Sequence, residues 1–259
     1  MPSLAQKRNS AQKSLREVMG DQKRVLLVHY ACEDFANRPD GSSARITAIA
    51  ARHLDSAQTF SFSIHLSAER LGISYKDIAD RYEELERDLL QDFTKFCEKH
   101  MSFTWVHWSM RDSNYGFPAL YHRCKLLGIA PTEIPPTNLF DLARCLVSVY
   151  GSEYIEHPRL PKILEKNGIS MLAYVDGSSE AQMSQDGEFV TIHRSTLRKV
   201  DSFEALLLKA HAGTLKTNYR WLDIYGNSLQ DVVFYVREHW IYGLILIIML
   251  GVGIAKLFT

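Results

Sequence analysis

The sequence predicts an α/β domain, a mixed sheet flanked by helices, followed by one C-terminal transmembrane helix. Two observations point to the domain. Short apolar or alternating runs dominate residues 24–65, and runs of helical period alternate with strand-like runs after residue 74. A third points to the membrane helix. Residues 240–255 read WIYGLILIIMLGVGIA without a charge. With Leu257 and Phe258 the apolar stretch reaches about 19 residues, near the ~30 Å hydrocarbon core at ~1.5 Å per residue.

The elements follow in order. Residues 1–23 form a basic polar arm, either a loose helix or a disordered segment, holding Lys7, Arg8, Lys13, Arg16 and Lys23. No apolar core follows these charges, so the arm is not a secretory signal. Residues 24–31 (RVLLVHYA) read as a buried strand, ended by a polar loop with Pro39, Asp40 and Gly41. Residues 45–52 (RITAIAAR) make a second strand, and residues 59–65 (TFSFSIH) alternate with period two as a third. A long helix is expected over 74–100, where Ile78, Tyr82, Leu85, Leu89 and Phe93 recur at helical steps. Its acids Asp80, Glu83, Glu84, Glu86 and Asp88 are expected on a solvated face.

FTWVHW at 103–108 is the fourth strand. Helices are expected over 114–127 and 160–167, with a short helix or strand–helix pair over 138–150. Residues 176–187 look like a turn-rich loop and 188–192 like a short strand. A last helix spans 201–212, where Asp201 and Glu204 have capping-box spacing. The domain thus covers 24–215. A connector at 216–238 leads to the span at 239–258, with Trp240 and Tyr242 at one end and Lys256 near the other. So little chain follows the span that insertion is expected after synthesis, leaving the main domain cytoplasmic. Gly251 and Ala255 form a small-xxx-small pair that would support homodimer pairing of the span.

The chain has 30 Lys and Arg against 30 Asp and Glu, so whole-chain charge gives no case for nucleic acid. Cys32, Cys97, Cys124 and Cys145 form no CxxC pair and suggest neither a disulfide framework nor a zinc cage.

Several motifs together resemble the DEDD 3′–5′ exonucleases of the proofreading type, a branch of the RNase H-like superfamily. HWSMRD at 107–112 is similar to that family's second motif, a His followed by an Asp after a strand. FDLA at 140–143 and LPKILEKNGI at 160–169 look like its next segments, and ITAIAA looks like its second strand. In HYACEDF, Glu33 stands at the Glu of the first motif, while Ala31 replaces its Asp and Asp34 lies one residue beyond. His193 precedes Arg198 rather than an Asp, and Asp201 follows eight residues after His193.

The resemblance implies a membrane-anchored nuclease hydrolysing phosphodiester bonds in nucleic acid. Two Mg²⁺ or Mn²⁺ ions would be held by Glu33, Asp34, Asp112 and Asp201, with His193 as general base. The basic run 193–199 would place Arg194, Arg198 and Lys199 on the phosphate backbone. The altered motifs imply an alternative, a catalytically inactive form of the same fold serving as a membrane-tethered binding or interaction module.

Overall fold

The computed structural model describes residues 3–33 and 43–219. Five strands form one sheet in the order β3-β2-β1-β4-β5. They are β1 (Val25–Cys32), β2 (Ile46–His53), β3 (Thr59–Ser63), β4 (Thr104–His107) and β5 (Leu139–Asp141). β2 runs antiparallel to both β1 and β3, whereas β4 and β5 run parallel to β1. The first four strands expected from the sequence are present within two residues of their expected ends. The strand–helix alternative over 138–150 holds, as β5 followed by α5 (Leu142–Tyr150).

β1 is buried along its whole length, which explains its unbroken apolar run. Leu26, Val28, Tyr30 and Cys32 face α3 (Tyr82–Lys99) and α4 (Phe117–Leu126) in one core layer. Val25 and Leu27 face the other layer, built from α1 (Leu4–Gly20), α5, α6 (Arg159–Lys166) and α8 (Phe189–His211). Period two puts His29 and Ala31 on the α8 side as well, and His29 meets the Phe203 ring edge-on at 5.7 Å.

Three helical readings change, and one open reading is decided. Of a loose helix or a disordered arm, residues 4–20 form the helix, α1, capped by a reciprocal Ser3–Gln6 box and closed onto the core by Leu15, Val18 and Met19. Alanines and glutamines supply its propensity, and a stripe of only a few apolar residues suffices once α5 covers it. Residues 64–70 add a short α2 (Ile64–Arg70) that the alternating pattern of β3 had absorbed. The turn-rich stretch holds α7 (Gly177–Gln185), started by Asp176, which accepts the Ser178 and Ser179 amides at 3.0 Å each. The short strand at 188–192 and the helix at 201–212 are one helix, α8. Asp201 therefore lies inside a helix and caps nothing.

Glu86 also departs from the solvated face expected of α3. It is fully buried and accepts both the Arg123 guanidinium of α4, at 2.8 and 2.6 Å, and the Ile46 amide of β2, at 2.7 Å. Its carboxylate thus ties two helices to the sheet. Removing one member of a buried pair strands the other in low dielectric. Glu86→Ala is expected to cost about 3–5 kcal/mol of unfolding free energy, read as a lowered urea midpoint, and Glu86→Gln less, because the amide still accepts from Ile46.

Candidate functional site

The C-terminal ends of β1 and β4 lie side by side and carry the motif residues on their loops. Tyr30 and the loop after β4 are locked together. The Gly116 amide donates to the Tyr30 hydroxyl at 2.8 Å, and a Cβ at Gly116 would sit 2.5 Å from the Met110 carbonyl carbon. Only glycine allows that approach. It brings Tyr115 onto the strand, where its hydroxyl donates to the Tyr30 carbonyl at 3.0 Å. The same hydroxyl lies 3.1 Å from His29 Nδ1, so the proton arrangement that satisfies both contacts has Nδ1 donating. His29 Nε2 then has no hydrogen-bond partner among the described residues. Burial, with the Lys199 charge nearby, keeps the imidazole neutral far below its ordinary pKa.

Opposite this strand end, α8 presents Lys199. Its ammonium is buried and pairs with Glu180 of α7 at 2.7 Å. Ser195, one helical turn earlier, donates to the same carboxylate at 2.6 Å and accepts the Val175 amide at 3.0 Å. The Tyr174 ring lies 5.5 Å from the ammonium. Burial raises the Glu180 carboxyl and lowers the Lys199 ammonium, and the pairing works against both shifts. The Lys199 charge also acts on Cys32 and His29 of β1. A closed cation–carboxylate–hydroxyl cluster therefore stands where α8 meets the end of β1.

The motif residues are distributed around it. Glu33 follows β1, and its carboxylate pairs with Arg45 Nε at 2.5 Å while the two backbones also bond. Asp112 closes its own turn, accepting the Asn114 and Tyr115 amides at 3.0 and 2.7 Å. These two acids share one end of the sheet. Asp201 does not join them. It lies against Arg52 at 3.4 Å and Arg198 at 3.5 Å, and Arg52 pairs in the ladder with Leu27, well before Ala31. Glu204 holds the same Arg52 at 2.5 Å. Asp34 lies outside the described residues.

His193 sits beside His65, which follows the edge strand β3, with ring centroids 5.0 Å apart. It is thus two strands from β1. Arg194 is exposed, Arg198 donates to the Leu172 carbonyl at 3.0 Å, and Lys199 is inside the protein. The helical phase of α8 sets Lys199 about 100° from Arg198 and turns it inward, while Arg194 and Arg198, one turn apart on the same side, differ because Arg198 is held by the Leu172 carbonyl.

The donor set does not fit a two-metal centre. Among the described residues no three His, Cys, Asp or Glu side chains converge as metal ligands. Glu33 and Asp112 each spend their carboxylate on a local partner, and Ala31 offers no ligand. Glu180 and Ser195 were missed by the sequence, though Asp176 to Glu180 has the spacing of a helix start with an acid in the first turn.

No protein-family model, curated protein or solved structure matches the chain.

Two measurements test this geometry. Lys199→Met should destabilise the protein by about 3–5 kcal/mol because it strands Glu180, whereas Lys199→Met with Glu180→Leu should recover most of that loss. Chemical denaturation of the wild type, both single variants and the double variant gives the coupling. Stability should also depend on histidine. Burial lowers both His107 and His193 to about 4. A neutral native histidine contributes full stability above its unfolded pKa of about 6.5 and loses it as pH falls toward about 4. The melting temperature should drop across that window, and His193→Phe should flatten the drop.

Proposed function

We propose that the chain is an RNase H-like, exonuclease-like module that recognises a partner rather than cleaving a phosphodiester, tethered to a membrane by the apolar segment 239–258. The strand order, with β2 alone reversed, supports the RNase H-like assignment. The observation that carries the non-hydrolytic assignment is the buried Lys199–Glu180–Ser195 cluster. A nuclease of this fold needs carboxylates from β1 and the last helix to converge on divalent cations. Here β1 supplies Ala31, and α8 supplies an ammonium whose carboxylate partner, Glu180, is already spent on it, so neither element offers a free carboxylate at that point.

The membrane assignment rests on the uninterrupted apolar run at 240–255 and its flanking Trp240, Tyr242 and Lys256. That run lies outside the described residues, and no helix among the described residues is long and apolar enough to cross a membrane.

Metal-dependent hydrolysis of nucleic acid with Mg²⁺ or Mn²⁺ is the competing activity, favoured by Glu33 and Asp112 sharing one end of the sheet. One preparation separates the two. Full-length protein purified from membranes should cleave no labelled single- or double-stranded DNA or RNA with either ion. Its melting temperature should be the same with and without them. Cleavage that disappears in both Glu33→Gln and Asp112→Ala would reinstate the nuclease. In the same cells the protein should stay with the membrane pellet at alkaline pH, and deletion of residues 239–258 should release it.

A further inference from the structure

The described chain ends at Tyr219 in a setting that is chemically one-sided. Asn218 donates its amide to the Tyr154 carbonyl at 2.7 Å and accepts the Lys166 ammonium of α6 at 2.7 Å. Lys216 is pinned beside it by two bonds with Asn167, at 2.8 and 2.9 Å. The Tyr219 ring meets Tyr150 of α5 and lies under the Arg8 guanidinium of α1 at 5.7 Å. The described residues therefore end against α1, α5 and α6.

Helices α1 and α6, and the segment that leads out, present exposed cations. Lys7, Lys13 and Arg16 lie on α1, Lys162 and Lys166 on α6, and Lys216 on the exit segment. Glu17 and Glu165 are the acids of those two helices and are ion-paired with Lys13 and Lys162, at 3.8 and 3.7 Å. Glu153 and Glu156 on the neighbouring loop offset part of the excess. The whole chain carries no net charge, so this excess must be balanced elsewhere. On α3, across the sheet, Glu83, Glu84 and Asp88 are each paired with an arginine, Arg87, Arg81 and Arg70, and Lys95 and Lys99 lie on the same helix. The α1 and α6 side of the domain is the one with exposed cations in excess of its acids.

Twenty residues, 220–239, separate Tyr219 from the start of the apolar run at Trp240. Even fully extended they reach only about 70 Å. A tether of that length holds the domain at high effective concentration over the bilayer. We propose that the α1–α6 face around Tyr219 docks on the anionic headgroups of the bilayer that holds the 239–258 segment, fixing the orientation of the domain. This rests on the membrane assignment above. Each exposed Lys or Arg near an anionic surface is attracted to it, and a tethered domain converts that attraction into orientation rather than recruitment.

The experiment uses full-length protein in nanodiscs of phosphatidylcholine alone or with 30% phosphatidylglycerol (about a third anionic lipid, a strongly negative surface). Ser10→Cys on α1 carries an environment-sensitive dye, with headgroup-labelled lipid as quencher. All four native cysteines are buried. Quenching should be several-fold stronger in anionic discs and fall to the neutral-disc level in high salt. It should also fall in a Lys7→Glu, Lys13→Glu, Lys166→Glu variant, but not in a Lys95→Glu, Lys99→Glu control on α3. Equal quenching in both lipids, or quenching indifferent to the reversal, would overturn the docking. So would an RNA or DNA oligonucleotide that binds this face and displaces it from anionic discs. Failure to enter discs at all, with the fold intact, would instead sink the anchor itself.

Discussion

The constraint on which the rest depends is the double burial of β1. A strand covered on both faces has no solvent to satisfy polar side chains, so each polar group near its end must find a partner within the protein. His29 finds the Tyr115 hydroxyl, Tyr30 finds the Gly116 backbone, and the α8 ammonium finds Glu180. These bonds determine the loop after β4, the glycine at 116 and the seating of α7. The same pairing consumes the polar groups that an open catalytic cleft would leave for substrate.

The two core layers are closed by different means. On the α3 and α4 side a buried carboxylate, Glu86, bridges Arg123 and the β2 backbone, amid an aromatic layer of Phe93, Phe96, Trp105 and Phe117. On the α8 side the closure is a Lys–Glu–Ser cluster at one end and the Arg52–Glu204 pair toward the other. Buried ion pairs add little net stability over apolar packing of the same shape, because desolvation offsets their attraction. Their effect here is positional. Each ties elements distant in sequence, such as β2 to α8 through Arg52 and Glu204, and a misplaced element would leave a charge unpaired.

The sheet was legible because strand burial writes itself into sequence periodicity. The unbroken apolar run of β1 and the alternation of β3 each marked a strand. α1 was not, since a helix whose apolar stripe is thin reads as a polar arm until α5 is known to cover it. The helix α8 was cut in two by Arg194, Arg198, Lys199 and Asp201, whose charge density suggested a loop. In the fold Arg198, Lys199 and Asp201 point to different partners around the helix, and only Arg194 is fully exposed. Glu86 was assigned to the solvated face because it lies among acids, yet it is the one whose helical phase turns it to the sheet.

The site was harder to read than the fold for a related reason. Motif spacing reports which residues stand at a strand end, not whether their oxygens are still available. Glu33 and Asp112 stand where the exonuclease resemblance puts ligands, but Arg45 and the 112–115 turn occupy their carboxylates. What decides between ligand and cap is the charge facing the site from the last helix. Were that residue an acid, Glu33 would gain from leaving Arg45 to share a cation with it. With Lys199 there the electrostatic preference reverses. Glu180 already neutralises the ammonium, and a divalent ion brought to the same point would have to break that pair without solvent to receive either half. The Lys199–Glu180 pair therefore does two things at once: it holds α7 against α8, and it leaves neither charge free for another partner.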